Sequence, residues 1–201
     1  MSFIQRSAED VDDATAAMND KATAGFGYLP NMTKVFAGRA DVMQAWEAMT
    51  SAIKSHMELR RYELVTLAAA NELRSSYCML AHGSLVLEKF FSADELRSIV
   101  EDADTRVLDE TDRAIMDFAR LVVRDAASIT PGDLDALRSH GVSDAEIFDI
   151  ATAAAARCFF SKTLDSVGAR PDAAYAALPR VLRDALTVGR PIDDQGAVAA
   201  S

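Results

Sequence analysis

The residues of this chain best suited to chemistry lie in one short stretch, Ser75-Ser76-Tyr77-Cys78-Met79-Leu80-Ala81-His82, with Glu63 one helix earlier. A helix that opens with Ser75 as its N-cap places Cys78 at the third helical position. The free N–H groups at that end carry partial positive charge, which favours a thiolate over a thiol. A thiolate is the form of sulfur that attacks the O–O bond of a peroxide. His82 follows four residues on and shares a helix face with Cys78. Its imidazole is placed to take the thiol proton or to hold a water. Glu63 is a third group of the kind that orients such a base.

Each residue also has a plain structural reading. A lone cysteine in an Ala- and Leu-rich helix is usually a small buried hydrophobe. His82 then becomes a hydrogen-bonded core residue, Glu63 a solvated charge or an ion-pair partner of Arg60 or Arg74, and Ser75 a cap with no further role. Cys-x-x-x-His is a metal-ligand pair as well, but no third or fourth ligand stands nearby, so no metal is expected. No cofactor is implied. The other cysteine, Cys158, is distant in sequence. Two cysteines do not make a disulfide framework, and a reducing compartment suits them better.

The elements that must position these residues read as helices almost throughout. Ala is abundant while Gly and Pro number 9 and 5, a combination that favours helix. Apolar periodicity predicts helices over 9–21, 33–37, 41–55, 60–74, 75–90, 109–125, 130–140 and 143–157, with a further one reaching 167. Ser92 with Glu95 and Ser143 with Glu146 are capping boxes. Thr130-Pro131 is a helix start, and Gly141 a left-handed stop. No strand-like alternation and no linker divides the chain, so a single domain over 1–188 is expected. A polar tail over 189–201 is expected to be disordered.

Composition narrows the function classes. The net charge is -10 and no basic stripe offsets it, so nucleic acid is not an expected partner. The N-terminus lacks a basic start followed by an apolar run, and the longest mostly apolar stretch, Ile150 to Ala156, is too short to span a bilayer. No membrane partner and a cytoplasmic location are the expectations that follow. The helix over 60–74 and the Ala-rich one over 146–157 are too apolar to face water, so each needs a central position or a subunit interface.

One internal similarity involves the site. Laying Glu63 on Glu146 places Ala68 on Ala151, Ala70 on Ala153 and Arg74 on Arg157; Ser75 then pairs with Cys158, and Cys78 with Ser161. Duplication of a helical hairpin, with the redox site kept in the first copy, and chance in an Ala-rich chain both account for it.

The stretch from Arg60 through Asn71, followed by Ser-Ser-Tyr-Cys-Met-Leu-Ala-His-Gly, resembles the signature of the alkylhydroperoxidase D / carboxymuconolactone decarboxylase family, in its peroxidase-related branch. That signature is a Glu, then Cys-x-x-Cys twelve positions on, then a His after three more residues. Glu63 matches the Glu, Cys78 the second Cys and His82 the His. Gly27-Tyr28-Leu29-Pro30-Asn31, the run Arg113 to Ala119 and Gly168-Ala169-Arg170-Pro171-Asp172 add to the likeness, which covers about residues 20 to 178.

The resemblance implies an all-α, AhpD-like helical bundle that assembles into homo-oligomers, trimers or hexamers being the family types. It also implies a thiol peroxidase in which Cys78 is oxidised by a small hydroperoxide and Glu63 and His82 relay protons. Ser75 departs from the pattern, because it stands where the family has its resolving cysteine. Three outcomes follow. An external thiol reductant rescues Cys78; Cys158 resolves it from a distance; or Glu63 and His82 act as acid and base on a small organic acid, as in a cofactor-free lyase or isomerase. A non-catalytic family member is a further alternative. Tyr77, where some members carry a histidine, is expected to pack or to donate its hydroxyl.

Overall fold

The computed structural model describes residues 2–4, 12–103 and 106–194. Ten α-helices follow in order: α1 (Asp13–Phe26), α2 (Asn31–Val35), α3 (Ala40–Lys54), α4 (Leu59–Glu72), α5 (Ser76–Lys89), α6 (Ala93–Glu101), α7 (Glu110–Asp125), α8 (Pro131–Ser139), α9 (Asp144–Ser166) and α10 (Arg180–Leu186). Short 3-10 turns occupy Ala126–Ser128 and Ala173–Ala177, and no strand occurs among the described residues. The expected start of the first helix, at 9–11, lies outside them.

α4 occupies the centre and packs against α5, α7 and α9. Every residue from Tyr62 to Ala70 is buried. Ala68, Ala69 and Ala70 carry almost no side chain, so neighbouring helices can approach from several sides, and the central position accounts for the apolar composition. Around α4 the core has two parts. Leu64, Val65, Ile115 and Ile150 belong to one; Trp46, Leu80, Phe160 and Leu186 belong to the other.

The local signals behave as their chemistry requires. Both predicted capping boxes form. Thr130 and Asp133 make a third, with Pro131 in the first turn. Gly141 stops α8 at φ +81°.

α9 departs from the expectation of two helices. It runs unbroken for 23 residues, about 34 Å, and joins the two parts of the core. No Gly or Pro interrupts Asp144–Ser166, and the backbone continues straight through Arg157. At the aligned position in the first copy, Arg74 turns left-handed at φ +54°. There Ser75 N–H bonds the Ala70 carbonyl and Arg74 N–H bonds the Asn71 carbonyl, the six-to-one and five-to-two pair that ends a helix. The two segments therefore do not form two copies of one hairpin. α9 also turns Phe148 and Phe159 outward.

The expected disordered tail does not begin at Gly189. Gly189 N–H donates to Ser76 Oγ at 2.7 Å, Arg190 Nη2 to the Asp165 carbonyl at 2.7 Å, and Asp193 N–H to the Pro171 carbonyl at 2.8 Å. A Cβ on Gly189 would collide with the Arg74 carbonyl oxygen, so only glycine lets this segment lie across the start of α5. Residues 195–201 lie outside the described part. No described helix is long and apolar enough to cross a membrane.

Candidate active site

The tight α4–α5 turn sets the site. It folds α5 back along α4 and brings His82, one turn beyond Cys78, to Glu63. His82 Nδ1 and Glu63 Oε2 are 2.6 Å apart. Glu63 is 0 % exposed, and its second oxygen, Oε1, has no hydrogen-bond partner. The alternative ion pairs are not made: Arg60 binds Asp112 at 2.6 Å, and Arg74 Nε donates to the Val188 carbonyl.

Cys78 is 2 % exposed. The plain reading of this cysteine as a buried residue holds for its accessibility, but its surroundings are polar. Ser161 Oγ lies 3.1 Å from the sulfur and Arg157 Nη1 3.6 Å from it. Both come from α9, four residues apart on one face. Arg157 is 3 % exposed, and its Nη2 donates to the Tyr62 hydroxyl at 3.4 Å. His82 is the most open of these groups, its side chain being 17 % exposed, so the site meets solvent on the His82 side.

His82 is held below its ordinary pKa, first by burial and then by the Arg157 charge; Glu63 opposes both. The imidazole is therefore neutral at pH 7, and the tautomer that carries its proton on Nδ1, toward Glu63, leaves Nε2 as the base. A stability prediction follows. As pH falls below the ordinary histidine value of 6.5, the unfolded chain takes up a proton that the folded site refuses. Stability contributed by His82 is thus complete above that value and is lost as pH drops towards the lowered folded pKa. The slope approaches about 1.4 kcal/mol per pH unit. Urea unfolding between pH 7 and 5 should show this component in the wild type and not in His82→Gln; identical profiles would refute it.

The remaining sequence candidates take other places. Ser75 is the N-cap residue of α5 by backbone geometry, but its hydroxyl makes no cap bond. It is buried with its hydroxyl outside hydrogen-bonding geometry, yet near enough to the Asp165 carboxyl to oppose, with Arg190, the rise that burial gives that group's pKa. Tyr77 donates its hydroxyl to Asp172 and accepts from Met32 N–H at 2.9 Å. Cys158 is half-buried and free. It follows Arg157 directly, which on an α-helix turns it by about 100° from that residue and away from the Arg157–Ser161 face. No sequence motif marks Arg157 or Ser161 as a site residue; the internal alignment, which lays Ser161 on Cys78, is the signal that bears on them.

No protein-family model matches the chain, and no curated protein does. Solved structures do. A structure titled as the alkylhydroperoxidase AhpD core, an uncharacterized peroxidase-related protein from Ralstonia eutropha JMP134, aligns with TM-score 0.76 and 21% identity, covering 87% of this chain and 94% of that one. The chain has the AhpD fold. A peroxidase-related protein from Silicibacter sp. TM1040 shares it with TM-score 0.73 and 24% identity over 83% of this chain and 89% of its own. The debrominase Bmp8 does so with TM-score 0.69 and 16% identity over 92% and 96%. A variant of that debrominase with cysteine replaced by alanine binds 2,3,4-tribromopyrrole. The AhpD fold thus carries more than one activity.

Proposed function

We propose that this protein reduces small hydroperoxides through a single thiol, Cys78, with Glu63 and His82 as its proton relay and an external thiol as reductant. The observation that carries this reading is the 2.6 Å contact between Glu63 and His82, one helical turn from a sulfur with two polar donors on it. The sulfur attacks the terminal oxygen of the hydroperoxide and the O–O bond breaks. Neutral His82 carries the proton of the attacked oxygen to the departing one, which leaves as an alcohol or water. Sulfur is oxidised to the sulfenic level and the peroxide is reduced. One reductant thiol then condenses with the sulfenic acid, releasing water, and a second attacks the reductant's sulfur in the mixed disulfide, forming the reductant's disulfide and freeing the Cys78 thiol.

Ser75 has no sulfur to resolve the intermediate, and Cys158 lies off the face that meets Cys78, which favours an external reductant. Burial of Cys78 restricts the oxidant to small molecules arriving on the His82 side. Treating the protein with hydrogen peroxide or a short alkyl hydroperoxide and then with dimedone should add one dimedone mass at Cys78. Labelling no faster than that of an unfolded control peptide would overturn the proposal.

A second reading draws on the same pair of residues. A neutral imidazole held by a buried carboxylate is a general base in its own right, suited to proton transfer on a small organic acid without any role for sulfur.

A further inference from the structure

Arg157 is a buried cation with no carboxylate hydrogen-bonded to it among the described residues. Among the described residues its Nε has no hydrogen-bond partner and its two terminal nitrogens reach the Cys78 sulfur and the Tyr62 hydroxyl; burial works against its charge, and Cys78 and Tyr62 work for it. The indole of Trp46 and the ring of Phe160 lie beside it, 5.4 and 5.9 Å from the guanidinium carbon. Aromatic faces offset part of the cost of burying a guanidinium, but a charge removed from water still requires an opposite one or a full set of acceptors. A phenol is a weak candidate for that anion. A thiol is a far better one, and the Cys78 sulfur also receives the Ser161 hydroxyl at 3.1 Å. Two donors from α9 converge on one acceptor atom.

We infer that Cys78 rests as a thiolate, that Arg157 is its counter-ion and Ser161 its second donor, and that Arg157 is a catalytic residue in contact with the reacting sulfur. This rests on the reading of Cys78 as the reacting thiol and deepens it. The charge comes from α9, far away in sequence, and adds to the field of the α5 N-terminus. The imidazole is then relieved of deprotonating the thiol. It is left free for the peroxide proton, consistent with its neutral state beside the guanidinium. After the O–O bond breaks, negative charge moves from sulfur to the sulfenate oxygen and stays within reach of Arg157, so one group serves both states.

The test uses the full chain in a Cys158→Ser background, with Cys78→Ser as the blank. The ultraviolet absorbance of thiolate at pH 7 should correspond to one sulfur per chain, should vanish in Arg157→Met and should return in part in Arg157→Lys. Oxidation of Cys78 by hydrogen peroxide should slow about tenfold or more in Arg157→Met, equivalent to a loss of about 1.4 kcal/mol at the reacting sulfur. Absence of the thiolate band in the parent protein, or its persistence in folded Arg157→Met, overturns the assignment. A band that depends on Arg157 in a protein that gives no sulfenic acid with peroxide leaves the ion pair standing and removes the peroxidase reading instead. Met is apolar and follows the path of the Arg stem, so that part of the pocket stays filled; should it fail to fold, the parent band and the Lys variant decide the matter.

Discussion

Replacing Cys78 by serine is expected to reduce thiol-dependent hydroperoxide consumption to the uncatalysed rate, a loss on the order of a thousandfold or more. The side chains are nearly the same size, so the buried pocket keeps its shape. A serine oxygen still accepts from Ser161 and Arg157, but it cannot be oxidised by a peroxide and is a poor nucleophile without strong activation. Losing the negative charge on sulfur strands Arg157, which should cost about 3 kcal/mol of stability, so rates are compared at a temperature where both proteins are folded. The same variant separates the two functional readings. Proton transfer by Glu63 and His82 touches nothing that the substitution removes and should survive it. Retention of more than about a tenth of the peroxide turnover would place the reacting sulfur elsewhere, with Cys158 the remaining candidate.

The part of this site that lies within one turn of chain was legible. Glu63, Cys78 and His82 are joined by a single helical reversal, and helical periodicity alone puts His82 over Cys78. Capping boxes at Ser92 and Ser143 were readable for the same reason, being local exchanges between residues three apart. What the sequence did not disclose comes from α9. Arg157 ends the Ala-rich stretch whose burial was expected, but no local pattern says that its guanidinium turns inward to the Cys78 sulfur. Burial of Cys78 was one of its two sequence readings; the polar donors at its sulfur were hidden, because Arg157 and Ser161 come from distant chain. The expected break after Arg157 does not form, although its alignment partner Arg74 does turn. A left-handed turn there is stabilised by backbone bonds and by the closing segment around Gly189, which Arg157 lacks. Gly189 itself looked like the start of a polar tail, since its close approach to the Arg74 carbonyl leaves no mark in composition.

Two motifs that the proposed chemistry does not use, Gly27 to Asn31 and Gly168 to Asp172, meet at one buried carboxylate. Asp172 accepts from the Tyr77 hydroxyl and from Asn31 N–H, the latter at 2.7 Å. Asn31 Nδ2 reaches on to the Arg170 carbonyl at 3.2 Å and to Asp193 at 3.1 Å, so four segments of chain are tied together beside α5. Burial and the Asp172 charge raise the pKa of Tyr77 and push that of Tyr28 up to about 12, so both phenols stay protonated and able to donate at neutral pH. Asp172→Ala is expected to destabilise the protein by about 3–5 kcal/mol, because it removes two hydrogen bonds to a charged acceptor and deprives a buried hydroxyl and a half-buried amide of that partner. Tyr77→Phe should cost less, about 1–3 kcal/mol, since Asp172 keeps the Asn31 bond and the residue stays buried. The double variant should fall short of the sum, as expected for partners in one network. Urea midpoints at constant m-value measure all three. An Asp172→Ala cost below about 0.5 kcal/mol, the value of an ordinary surface change, would mean that these motifs are joined by their apolar packing and not by the carboxylate. Tyr77 immediately precedes Cys78, so a loosened network should also widen access to the sulfur. Alkylation of Cys78 in Asp172→Ala should then be faster than in the parent even where the variant remains folded.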